Sequence, residues 1–273
     1  MFTLRVLSYN IRGLPIPFFV DHSRYRRIGE ILRRRREAGD APQVVALQEA
    51  FHSRIFDLID AAGYPHLAFG PEAKGLKLRS GLALLSEFPI VDSDHWVFTK
   101  NIRWDRFVRK AIQYAQIHVP GVQSPIDVFN LHLASPDTDF NAGVKPREAI
   151  YARSWQVREV SRLVRKRSAP DRICLIPGDF NFRPHDSDAS WMMRRLSVLH
   201  SGSAILNLGD CSDAETIHHD LKHSDDHQFF RSEQGRVRIK PVRLRRTFSD
   251  GDERRLSDHT GLEVDYVLED MNR

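Results

Sequence analysis

The chain has 273 residues, a formal net charge of +5, 41% hydrophobic residues and two cysteines. That is ample apolar material for one large core and too few cysteines for a disulfide framework. No run approaches the ~18 uncharged apolar residues that span a bilayer, so the sequence excludes both a small disulfide-stapled scaffold and a helical membrane protein. Sheet proteins of ~200 to 250 residues are routinely single domains. No linker, repeat or low-complexity tract divides this one, so residues 1–273 read as one domain.

The opening "MFTLRVLSYN" enters an alternating strand pattern at once, without the apolar h-region of a signal peptide. A reducing, cytoplasmic setting is the expectation. "SRYRRIGEILRRRREAGD" predicts a helix capped by Ser23 and ended by Gly39, with Tyr25, Ile28, Ile31 and Leu32 on one face and arginine on the other. "QVVALQEA" is a short apolar strand that ends in Gln48 and Glu49. "RSGLALLSEFPIVDSDHWVF" gives two strands bent at Pro89, "RKAIQYAQIHV" alternates, and "IDVFNLHLASP" ends a further strand in Asn130 and His132.

From Pro146 to about Lys166, the spacing of Ile150, Tyr151, Trp155, Val160, Leu163 and Val164 predicts an amphipathic helix packed on a sheet. "RICLIPGDFN" is an apolar strand closing on Asp179 and Asn181 with Gly178 just before them. Residues i and i+2 of an extended segment project to one side, so this carboxylate and carboxamide are expected to point together beyond the strand end. A short helix around "SWMMRRL" and a His- and Asp-rich region follow; "HHDLKH" within it has a zinc-like look but reads as a polar loop. After "HQFFR", the basic segment "GRVRIKPVRLRR" sets Arg236, Arg238 and Lys240 against Val237 and Ile239, and "SDHTGLEVDYVL" forms the last strand. Strands with intervening helices predict a layered α/β sandwich.

Asn10, Glu49, Asn130 with His132, Asp179 with Asn181, and Asp258 with His259 all fall where an apolar strand gives way to loop. Each alone has a structural explanation: a turn, a helix cap, a hydrogen-bonded interior histidine. Together they predict convergence at one edge of the sandwich. The positive charge and clustered arginines favour an anionic partner, whether nucleic acid, phospholipid surface or phosphorylated substrate, against the plain alternative of a solvated basic face.

The stretches "LSYNIRGLP", "ALQEAF", "SGLALLSEFPI", "FNLHLASP", "PGDFNF" and "LSDHTGL", in that order, resemble the endonuclease/exonuclease/phosphatase superfamily. That superfamily includes pancreatic-type deoxyribonucleases, abasic-site endonucleases, inositol polyphosphate phosphatases and neutral sphingomyelinases. The resemblance implies a four-layer α/β/β/α sandwich with its site at one edge of two packed sheets. It further implies that Glu49, Asn10 and Asp258 serve a Mg²⁺ ion, or Mn²⁺ in its place, since hard cations take oxygen ligands. His259 would be the general base, held by Asp226 of "SDDHQFF", with Asp225 as the alternative partner. Asp179 would orient the attacking water, and Asn181 and His132 would donate hydrogen bonds to charge developing on the phosphate.

"FTKNIRWDRFVRKAIQYAQIHV" resembles a segment of neutral sphingomyelinases in which an aspartate precedes a lysine by five residues, here Asp105 and Lys110. The pair is implicated there in active-site arrangement; Ala111 stands where glycine is usual, and a surface ion pair is the structural alternative. The leading expectation is therefore a Mg²⁺-dependent phosphodiesterase acting on a phospholipid headgroup, as a monomer with peripheral membrane contact. A nuclease is the second reading, and a basic binding module with a vestigial site the third. The basic ribbon lies between the "DDHQFF" and "SDH" motifs and is expected beside the site, where it could meet nucleic acid or anionic headgroups.

Overall fold

A computed structural model describes residues 2–13, 22–135, 146–183, 191, 225–231, 237–249, 251, 253 and 256–270. Cys211, Arg236, "HHDLKH" and, apart from Trp191, the segment "SWMMRRL" lie outside the described residues. In chain order the elements are β1 (Phe2–Asn10), α1 (Ser23–Glu37), β2 (Val44–Gln48), α2 (Ile55–Ala62), β3 (His66–Phe69), β4 (Ala83–Ser86) and β5 (Ile90–Val97). They continue with a 3-10 turn (Arg103–Phe107), β6 (Ala111–Ile117), β7 (Ile126–His132), α3 (Pro146–Arg167), β8 (Cys174–Asp179), β9 (Asp226–Arg231), β10 (Val237–Thr247) and β11 (Gly261–Asp270).

The strands form a six-stranded sheet, ordered β10-β11-β1-β2-β4-β3, and a five-stranded sheet, ordered β5-β6-β7-β8-β9. Strand parity builds the layers. On β1, Leu4 and Val6 join Val44 and Ala46 of β2, Val128 of β7, Leu175 of β8 and Val264 of β11 in a core between the sheets. The alternate residues Leu7, Tyr9, Val45 and Leu47 face outward onto Tyr25, Ile28 and Leu32 of α1 and Leu58 of α2. Phe129, Leu131 and Ile176 pack on Val157, Val160 and Val164 of α3. Helices therefore cover both outer faces, giving the four-layer α/β/β/α sandwich. Among the described residues no helix is long and apolar enough to cross a membrane.

Several local expectations change. The helix α1 begins at Ser23, and the capping position is His22, which makes no side-chain cap. At the other end Gly39 has φ 71°, and the Gly39 and Asp40 amides donate to Arg36 and Arg35 carbonyls, as a left-handed glycine stop requires. Pro89 does more than bend a strand, for β4 and β5 on either side of it belong to different sheets. On α3 the buried line is Ala149, Ala152, Val157, Val160 and Val164, whereas Tyr151 is 60% exposed. Tyr151 and Trp155 lie one step round from the apolar stripe, and Trp155 instead donates through Nε1 to Thr99 Oγ1 at 3.0 Å.

The basic ribbon also moves. Lys240 pairs in register with Val267, which pairs with Thr3, seven residues before Asn10 on β1. At about 3.3 Å per residue, Lys240 and Arg238 lie more than roughly 20 Å along the sheet from the edge where Asn10 sits. Adjacency in sequence to the "SDH" motif misleads because β10 and β11 are antiparallel, so only the Arg246–Thr247 end of the ribbon approaches that edge.

Candidate active site

The polar strand ends follow from the same parity that builds the core. Beyond Leu4 and Val6, the inward face of β1 continues as Ser8 and Asn10; beyond Val44 and Ala46, β2 continues as Gln48; beyond Ile126 and Val128, β7 continues as Asn130 and His132. All of these polar residues are buried. The first tier is a layer of amides. Gln48 Nε2 donates to Asn130 Oδ1 at 2.8 Å, and Asn130 Nδ2 donates to Gln113 Oε1 at 3.0 Å and to the Leu47 carbonyl at 3.0 Å. Gln228 Nε2 donates to the Val6 and Leu262 carbonyls at 3.1 and 2.8 Å. Gln48 is legible as a polar strand end, whereas Gln113 and Gln228 lie inside their strands, where extending the inward parity finds them.

Above this layer stands the acidic tier. Asn10 Nδ2 donates to Glu49 Oε1 at 3.1 Å and to Asp179 Oδ2 at 2.8 Å, while Asn10 Oδ1 accepts the Arg12 amide at 2.9 Å. Parity would turn Glu49 away from the core, but its φ of 56° returns the side chain inward. Asn181 has φ 52°, its amide donates to Asp179 Oδ1 at 2.9 Å, and its Nδ2 donates to the Leu133 carbonyl at 3.0 Å. Asp179 and Asn181 therefore meet through a tight side-chain-to-backbone turn, not through extended i, i+2 geometry, because the strand stops at Asp179. Two non-glycine residues in the left-handed region at one site are sparsely populated conformations held by their surroundings. Gly178 answers to packing: a Cβ there would lie 2.4 Å from the Leu131 carbonyl oxygen of the neighbouring parallel strand.

His259 Nδ1 is 2.9 Å from Asp226 Oδ2, and its Nε2 is 3.9 Å from Asp179 Oδ2. Asp225 faces elsewhere, pairing with Arg183 at 3.5 Å while its carbonyl accepts the Phe180 amide at 2.9 Å. The His259 backbone is fixed by Ser257, whose hydroxyl accepts the His259 amide and donates to the Asn10 carbonyl at 2.7 Å. Arg24, buried on α1, donates to the Arg12 and Leu256 carbonyls at 2.6 and 2.9 Å and so joins the loops that carry Asn10 and His259. Asp258 is half exposed and pairs with Arg12 at 3.2 Å. It is absent from the buried carboxylate and imidazole groups whose candidate ligand atoms lie within 4.8 Å of one another, which are Glu49, His132 and Asp179, and Asp179, Asp226 and His259.

Asp105 and Lys110 are both buried and 3.4 Å apart. The pair is not on the surface: Lys110 Nζ donates to the Leu133 carbonyl at 2.7 Å and lies 3.2 Å from His132 Nε2, which is itself 3.5 Å from Asp179. Its ammonium thus enters the acidic tier from the second sheet.

Burial sets the electrostatics. It raises the Glu49 carboxyl above its usual range, with Asp179 adding to the effect and Asn10 opposing it. Burial and the Asp226 charge raise Asp179 to about 6. Burial, then the Lys110 ammonium, holds His132 well below the ordinary imidazole value. Burial would lower His259 as well, but the carboxylates of Asp226, foremost, Asp179 and Asp258 together outweigh it and lift the imidazole to about 11. Carboxylates crowded out of water want a cation. Glu49 Oε2 is buried and has no hydrogen-bond partner among the described residues, so the donor set fits a hard divalent ion.

Comparisons with known proteins fit this geometry. The chain is 29% identical over 187 residues, 66% of its length, to an inositol phosphosphingolipids phospholipase C of Schizosaccharomyces pombe, and spans 42% of that longer protein. Sphingomyelinase C from Streptomyces griseocarneus superposes with a TM-score of 0.69 at 20% identity, covering 97% of this chain and 99% of its own. D. rerio TDP2 complexed with single strand DNA product superposes with a TM-score of 0.65 at 17% identity, covering 97% and 99%. The model of the endonuclease/exonuclease/phosphatase family matches residues 7–259, and the chain belongs to that family.

Proposed function

We propose that the protein is a divalent-cation-dependent phosphoric ester hydrolase, and within that class a phosphodiesterase that cleaves a phospholipid at its headgroup phosphate. The observation that carries the reading is the convergence of Asn10, Glu49, His132, Asp179 and the Asp226–His259 pair at one sheet edge, each within about hydrogen-bonding reach of another. Glu49, with Asp179 and His132 beside it, would hold the ion. A bound Mg²⁺, or Mn²⁺ in its place, would neutralise charge on the phosphate oxygens and, by offsetting the carboxylate field, would favour the neutral form of His259. Neutral His259 then accepts a proton from the attacking water at Nε2, while Asp226 fixes the ring through Nδ1. Asp179 orients that water, and Asn181, His132 and Lys110 offer donors to the phosphate oxygens.

Two observations favour a lipid over a nucleic acid. The buried Asp105–Lys110 pair reaches His132, as the sphingomyelinase-like pattern implies, and the similarity to a phosphosphingolipid phospholipase C is the strongest by sequence among those described. The nuclease reading keeps the TDP2 likeness but loses the basic ribbon, whose Arg238 and Lys240 lie far from the site. An inert binding module has no physical reason to crowd three buried carboxylates together. Purified protein with Mg²⁺ is assayed against sphingomyelin, phosphatidylinositol phosphates, plasmid DNA and RNA, each with a chelator control. Release of a phosphorylated headgroup that stops in chelator, and is lost in Glu49→Ala with an unchanged circular dichroism spectrum, is the expected result. Cleavage of DNA or RNA alone moves the assignment to the nuclease, and full turnover in chelator removes the metal.

A further inference from the structure

A tight turn projects from the loop between β3 and β4, whose Gly81 carbonyl accepts the amide of Ala50, next to Glu49, at 2.8 Å. Lys74 and Lys77 exchange backbone hydrogen bonds of 3.0 and 3.1 Å, which puts Gly75, at φ 59°, and Leu76 at the tip. Leu76 is 93% exposed, the highest exposure among the large hydrophobic side chains described, and Leu78 and Phe107 nearby are 40% and 52% exposed. Single exposed leucines are ordinary. Here the leucine sits between two lysines, on a turn whose backbone is hydrogen-bonded to the segment that carries Asp105 and Lys110. The Leu78 amide donates to the Phe107 carbonyl at 2.8 Å and the Arg109 amide donates to the Leu78 carbonyl at 3.1 Å. That strand of chain, 105–110, begins and ends with the buried Asp105 and Lys110. The same 3-10 turn borders a groove of about 660 Å³ lined by Lys100, Arg103, Arg106 and Arg147, with Glu148 as its acid and Tyr151 on its wall.

We propose that the 74–78 tip, with Phe107 and the basic groove beside it, is the surface by which this protein docks on an anionic phospholipid bilayer. Aliphatic and aromatic side chains that water disfavours enter the headgroup boundary, and the flanking lysines keep their ammonium groups at headgroup level. Each nearby cation adds attraction to anionic lipid. A nucleic acid offers no comparable place for Leu76, because it rewards stacking and phosphate pairing and not an exposed aliphatic tip. The proposal deepens the phospholipid reading and rests on it, since docking here would bring the edge that carries His132, Asp179 and His259 toward the lipid surface.

The test separates docking from turnover. Binding is measured in chelator, by flotation with vesicles of phosphatidylcholine alone and of phosphatidylcholine mixed with phosphatidylserine; turnover is measured with Mg²⁺ on vesicles and on a water-soluble aryl phosphodiester. Wild type is expected to bind the mixed vesicles preferentially and less at high salt. Leu76→Glu should lose roughly tenfold in vesicle affinity, and the double variant Lys74→Glu, Lys77→Glu about fivefold or more per lysine. Both should keep turnover of the soluble diester. Vesicle binding that weakens in the variants, with no lipid turned over, supports docking while ending the phospholipid-hydrolase reading. Variants that bind vesicles as wild type does, wild type that binds neither kind of vesicle, or variants that lose only oligonucleotide binding would each overturn the docking surface.

Discussion

His259 shows how much a residue's chemistry depends on neighbours far away in sequence. Burial opposes its charge, but Asp226 at 2.9 Å, thirty-three residues distant, with Asp179 and Asp258 adding to it, lifts its pKa to about 11. In chelator, an NMR titration should therefore find the His259 ring protonated throughout neutral pH. Asp226→Asn removes the ion pair while keeping an oxygen that can accept from Nδ1, so burial is opposed only by Asp179 and Asp258 and the ring's titration should fall below that of the wild type. In the loaded enzyme, His259→Ala should cost roughly 10²- to 10⁴-fold in kcat and flatten the acidic limb of the pH profile, with a smaller loss for Asp226→Asn. A damaging Asp225→Asn beside a harmless Asp226→Asn would contradict the pairing, and an unchanged profile in His259→Ala would transfer proton acceptance to Asp179. The identities of these residues are legible in the motifs. Their protonation is not, because it depends on desolvation and on charges that only the folded chain brings close.

At the scale of elements, periodicity recovers much of the sandwich. The strands at 2–10, 44–48, 111–117, 126–132, 174–179 and 261–270 and the helices α1 and α3 follow from it. The pieces that escape are those whose local signal is short or ambiguous: β3 has four residues, α2 eight, and Tyr151 mimics a core residue at helical spacing. Glu49 illustrates the limit from the other side, since parity assigns it to the wrong face and a positive φ reverses the assignment. The amide layer escapes for a different reason. Asn130 bonds with Gln48 and with the carbonyls of Leu47 and Ala83 across the sandwich, partners 47 to 83 residues away. Because Asn130 on β7 is one of the polar ties between the two sheets, Asn130→Ala leaves buried donors and acceptors without partners, at a cost of about 2 to 4 kcal/mol. Urea denaturation checks this: the midpoint should fall while the slope stays the same.

For the whole molecule, the site is a built-in instability. Asp179 raised to about 6 means that the folded state binds its proton more tightly than the unfolded chain does. The associated stability is full below the ordinary aspartate value and is lost as pH rises through about 6. The His259–Asp226 contribution has the same sign but a higher window: it is full below the ordinary histidine value and disappears only as pH rises through about 11. In chelator the wild type should thus gain stability on acidification from neutrality through the window set by Asp179, and Asp179→Asn should remove that gain. At neutral pH the same substitution should stabilise the metal-free protein by on the order of 2 kcal/mol, while Mg²⁺ should raise the melting temperature of the wild type but not of the variant. Calorimetry with and without chelator measures both, and a destabilised Asp179→Asn protein would refute the account. Another whole-molecule consequence concerns biosynthesis. β1 is hydrogen-bonded to β11, and Arg5 closes on Asp265, 260 residues later. At ribosomal speeds of about 5 to 20 residues per second, β1 emerges roughly 10 to 50 seconds before its antiparallel partner exists. During that interval one edge of β1 can pair with β2 while the other is an open template for foreign strands. Nascent chains stalled before residue 261 should be the aggregation-prone, chaperone-bound species of this protein.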